Sequence, residues 1–108
     1  MVDVTAEIEA DGNIAVKLQG SDAWELNIRA SAADFAKLRD IQHTTRPGQS
    51  LGMGRCADAP VWWNEQDGQI YILIGHDDVT WDVAVMVPLA TTDDIVQAVE
   101  QELHQARG

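Results

Sequence analysis

Apolar and polar residues alternate in short bursts along most of this chain, and longer apolar spacing occurs twice. Val2, Val4, Ala6 and Ile8 alternate with polar residues, as do Ile14, Val16 and Leu18, then Trp24, Leu26 and Ile28. A period of two marks half-buried strands. Asp11-Gly12 between the first two bursts is a hairpin signal, because glycine tolerates positive φ. Ser31 followed by Asp34 resembles a capping box, and Phe35, Leu38 and Ile41 give the stripe of a first helix. This helix should end before Arg46-Pro47-Gly48.

The same order of features returns later. Asp67-Gly68 repeats Asp11-Gly12, 56 positions on, and Gln69 to Ile74 repeats the strand that follows it. Trp81 to Val87 repeats the Trp-led strand, and Thr91 to about Gln105 gives a second helix with Ile95, Val99 and Leu103 on its buried face. Val61 to Asn64 starts the second half, and Glu65-Gln66-Asp67-Gly68 and His76-Asp77-Asp78-Val79 are its turns. The expectation is one α+β domain over residues 1–108, with a pseudo-repeat of 1–45 and 58–106 joined by a loop over 43–60. Each half reads β-β-β-α. Together they predict one antiparallel sheet of about six strands with two helices packed on one face.

The halves differ on the outward side of the sheet. The first half places Asp3, Thr5, Glu7, Lys17, Glu25, Asn27 and Arg29 there, a solvated face. The equivalent positions of the second half are Tyr71, Leu73, Ala84 and Met86. Trp62 and Trp63 are consecutive, so one faces the core and the other faces outward. An apolar outer face needs a cover. A second copy of the chain, the protein's own 43–60 loop, and a ligand or partner are the three candidates. Trp62, Trp63, Tyr71, Leu73 and Met86 form the candidate interface.

Charge narrows the partners. The formal net charge is −11. Residues 56–106 hold ten acids and no Lys or Arg, whereas residues 37–55 hold four basic residues and one acid. Phosphate backbones and anionic membranes repel such a surface, so neither nucleic acid nor membrane is an expected partner. A basic protein would be attracted. Acidity also serves plain solubility. The apolar fraction of 45% suffices for a core. A single cysteine, Cys56, allows no internal disulfide, and the chain shows neither a signal-peptide pattern nor a long apolar run. A cytoplasmic protein is therefore expected.

Candidate chemistry is sparse. Gly52-Met53-Gly54 with Arg46 and Arg55 offers an anion cradle, but the full glycine-rich fingerprint is missing and a flexible connector accounts for it. Ser50 to Arg55 also has the length of a short edge strand. Cys56 with His43 or His76 and Asp58 has the residue types of a nucleophile and base, yet no local signature supports them. His76-Asp77-Asp78 with Asp82 matches no metal loop and suits turn chemistry. Glu65 and Asp67 lie in a turn, too exposed for paired acid–base work. No catalytic residue, metal or cofactor is expected, and an enzyme is the less favoured class.

The segments AEIEADGNIAVKLQG, AWELNIRASAADFAKL, CADAPVWW and WDVAVMVPLATTDDIV resemble a small family of actinobacterial proteins with no assigned function. The resemblance spans essentially the whole chain and implies an uncharacterised cytoplasmic protein, with no functional residue to carry over. Two functional expectations follow. The first is a non-enzymatic interaction module that self-associates as a homodimer through the outer face of its second half, with an acidic inhibitor of a basic protein as a variant. The second is a small-molecule binder or minor enzyme. Its pocket would lie between the 43–60 loop and the Trp-rich sheet, with Arg46, Arg55 and Cys56 at the rim.

Overall fold

The computed structural model describes residues 2–20, 24–41, 50–76 and 81–107, the side chains of 106 and 107 excepted. Its seven strands run β1 Asp3–Ile8, β2 Ile14–Gln19, β3 Glu25–Ala30, β4 Leu51–Cys56, β5 Ala59–Gln66, β6 Gln69–Gly75 and β7 Trp81–Pro88. They form one sheet in sequence order, and each neighbouring pair is antiparallel. Helix α1, Ala32–Ala36, continues into a 3-10 turn over Lys37–Asp40. Helix α2 spans Ala90–Arg107.

The alternation seen in the sequence sets this register. Ile14, Val16 and Leu18 face Ala30, Ile28 and Leu26 in turn across the inner side, and all are buried. Asp67 has φ 53° and Gly68 φ 79°, so the Asp-Gly hairpin turn takes the left-handed backbone that this dipeptide favours. Ser31 caps α1 through its Oγ, which accepts from the Asp34 amide at 3.1 Å. Asp34 does not complete a capping box. Its carboxylate pairs with Lys37 at 3.0 Å instead. The spacing of Phe35, Leu38 and Ile41 is three at each step, and all three are buried. Side chains three apart eclipse in 3-10 geometry, which is why the helix tightens here without losing its apolar stripe.

Two expectations are corrected. The sheet has seven strands rather than six, because part of the 43–60 connection, Leu51–Cys56, forms β4. This strand is central, between the two meanders, rather than at an edge. The tandem units are also inexact. Helix α2 packs back on β1, β2, α1 and the 3-10 turn, all in the first half. Arg39 of that turn pairs with Glu100 of α2. A helix stripe specifies that a face is buried but not which strands bury it. Inward side chains of β2 to β7 then join Phe35, Leu38, Ile41, Ile95, Val96 and Val99 in one hydrophobic cluster. Each fully buried Ile, Leu or Val there contributes roughly 1.5–3 kcal/mol.

Strand β4 fits the middle through a β-bulge. Leu51 opposes Trp63 and Gly52 opposes Trp62, but Arg55 opposes Pro60, so the register shifts between Gly52 and Arg55. Gly54 sits at φ 84° within this shift. A Cβ there would lie 3.0 Å from Ile28 Cγ2 and 3.2 Å from the Arg29 carbonyl oxygen. The missing side chain lets β3 approach. These strands share the single opposed pair Arg29 and Arg55.

Candidate functional site

The register places five candidate residues directly. Trp63 is fully buried, and its indole N–H donates to the Met53 carbonyl at 2.9 Å. Trp62 faces the other way. Its six-membered ring covers Gly52, where a Cβ would lie 2.8 Å from Trp62 Cζ3. Its indole N–H donates to the Gly75 carbonyl at 3.4 Å. The indole thus spans from β4 to β6 across the outer face, and glycine at position 52 makes the space for it.

Trp62 opposes Leu73, and Leu73 opposes Ala84. Asn64 opposes Tyr71, and Tyr71 opposes Met86. Opposed residues share a face. Trp62, Tyr71, Leu73, Ala84 and Met86 therefore form one continuous uncharged surface on the side away from the helices. Met86 is 57% exposed.

Trp81 joins this surface, which the alternation of the sequence does not anticipate. Parity with Val83, Val85 and Val87 assigns it to the core side. In the structure Ile74 opposes Val83 and Gly75 opposes Trp81, leaving Asp82 as an extra residue. This irregularity reverses the parity of the strand before it. Trp81 is 45% exposed and, with Asn64, Gln66, Tyr71 and Leu73, walls a shallow cavity of about 280 Å³. Only the glycine before the turn, Gly75, hinted at a break in the ladder.

The other candidates do not converge. Arg55 is exposed on β4 and donates to the Asp58 carbonyl at 2.9 Å. Cys56 is half-buried and packs against the core. Arg46 and His43 lie outside the described residues, as do Asp77 and Asp78. His76 is exposed. Leu51–Cys56 belongs to the sheet, so this part of the connection does not fold over the Trp-rich face. Among the described residues no cluster of three His, Cys, Asp or Glu side chains gathers as a metal site. No described helix is long and apolar enough to cross a membrane.

Charge is also divided along the sheet. Lys17 pairs with Glu25 at 3.7 Å and Arg29 with Glu9 at 2.8 Å, while Lys37 and Arg39 hold the pairs already given. These cations sit on β2, β3 and the segment after α1. Among the described residues none pairs with Asp67, Asp82, Asp93 or Asp94 of the second half. Comparison with protein-family models, with curated proteins and with solved structures finds no match for this chain.

Proposed function

We propose that the protein is a non-enzymatic interaction module that self-associates through the outer face of β5, β6 and β7. The observation behind this reading is the gathering of Trp62, Tyr71, Leu73, Trp81 and Met86 on one uncharged face while the opposite face serves the core. Apolar patches of this kind mark interfaces, and Trp and Tyr dominate interface energetics. Two copies stacked face to face would bring no carboxylates of this patch together, because its polar members are amides such as Asn64 and Gln66. Light scattering coupled to size exclusion should return twice the chain mass. Met86→Glu and Leu73→Glu should return the monomer with an unchanged circular dichroism spectrum. A wild-type chain that stays monomeric at high concentration sinks the self-association.

The cavity beside Trp81 favours a second reading, a small-molecule binder. Its size is near the lower limit of ligand pockets, and Asn64 and Gln66 supply donors and acceptors. A metabolite panel scored by thermal shift should then show stabilisation that Tyr71→Ala removes. No shift across the panel ends that reading.

A further inference from the structure

The two edges of the sheet are finished differently. At β1, helix α2 runs alongside, and Val4 faces Ala98 and Gln101 across a groove. At β7 the sheet simply ends, and among the described residues no strand lies beyond it. This edge strand, Trp81–Pro88, is long, with apolar side chains exposed on both of its faces. Met86 is exposed on the outer side. Val83, which opposes the buried Ile74, is 45% exposed on the inner side. A partner lying on the outer face covers Met86 but leaves Val83 in water. Only an occupant alongside β7 covers both, and an added strand does so while pairing the free backbone groups.

Charge selects the occupant. Asp82 stands near the start of β7. At its other end Gln69 opposes Pro88, the Leu89 amide donates to the Gly68 carbonyl, and Asp67 and Asp93 flank the junction. Two copies of β7 paired antiparallel about a two-fold axis would set the Asp82 end of one against the Asp67 and Asp93 end of the other. Like charges would then meet at both ends of the ladder. A strand with Lys or Arg at its ends meets the opposite sign at both.

We propose that the β7 edge accepts an extended segment of a basic partner protein, one with alternating apolar side chains and Lys or Arg at its ends. The acids at the ends of the strand attract this segment and keep two copies of the edge apart. The edge meets the face assigned to self-association at Met86, but it binds through the free backbone of β7 and through Val83, which that face does not include.

The test uses the full chain and a synthetic peptide, Lys-Lys-Val-Thr-Val-Thr-Val-Lys-Lys. Amide hydrogen exchange should show new protection confined to β7. Glu in place of every Lys should weaken binding by about tenfold or more, and added salt should erase most of that difference. N-methylation of all five Val and Thr residues should abolish protection, because it removes the donors on both edges of that segment. Val83→Lys alters an exposed position, so the fold should persist while peptide affinity falls about tenfold. The proposal is overturned if β7 amides gain no protection. It is also overturned if the Glu peptide protects them equally, or if Met86→Glu removes binding while Val83→Lys leaves it intact. That last result would assign the peptide to the outer face.

Discussion

Replacing Gly54 with alanine tests whether the β4 bulge is what lets the two meanders share one sheet. The substitution adds one methyl group to a residue at φ 84°. An L-residue in the left-handed region costs about 1–2 kcal/mol. The stiffer unfolded chain returns about 0.4–1 kcal/mol of that. The new Cβ would also press on Ile28 Cγ2 at 3.0 Å, the Arg29 carbonyl at 3.2 Å and Ala30 Cβ at 3.5 Å. The carbonyl belongs to the backbone of a paired strand and cannot rotate away, so overpacking adds about 1–3 kcal/mol. The expected total is about 1–4.5 kcal/mol. Gly12 provides the control, since it has φ 89° and nothing within 4 Å of its added Cβ. Gly12→Ala lacks the overpacking and should cost about 0–1.5 kcal/mol. Urea unfolding followed by tryptophan fluorescence measures both, with buried Trp63 as reporter. Equal losses for the two variants would refute the steric argument and leave backbone strain as the whole effect.

Ser31→Ala removes the cap of α1 and should cost about 1 kcal/mol in the same urea assay, while Ser31→Asp should restore most of it. Trp63→Phe keeps an aromatic ring but orphans the Met53 carbonyl, so a loss of about 1–3 kcal/mol is expected from the missing hydrogen bond alone. Ala57 sits at φ 55° in the β4–β5 turn, and Ala57→Gly should raise the thermal midpoint slightly, with a gain of no more than about 1 kcal/mol by calorimetry.

Local signals were enough for the strands of each meander, for the Ser31 cap and for the Phe35, Leu38 and Ile41 stripe. These depend on alternation, a hydroxyl and spacing, which are all written within a few residues. The opposite faces of Trp62 and Trp63 follow from the same period. Strand β4 was only half legible, because its residues answer to distant neighbours. Gly52 is small for the sake of Trp62, and Gly54 for the sake of Ile28 and Arg29. Neither reason shows in a segment that reads as a loop. Alternation along β7 does not place Trp81 correctly, because the irregularity at Ile74 and Gly75 shifts parity without a strong residue signature. The packing of α2 on the first half was beyond local reasoning altogether.

The placement of α2 on β1 also bears on how the molecule assembles. Hairpins such as β5–β6 join residues that are close in the chain, and they can close within microseconds. The packing of α2 on β1 joins nearly opposite ends of the described chain. A span of that length carries a large loop-closure entropy, and it is repaid only when the helix docks. The meanders are therefore free to pair early, while the edge of β1 waits uncovered for the last helix. Docking of α2 is the natural slow step, and substitutions at Ile95 or Val99 should act on it more than on the hairpins.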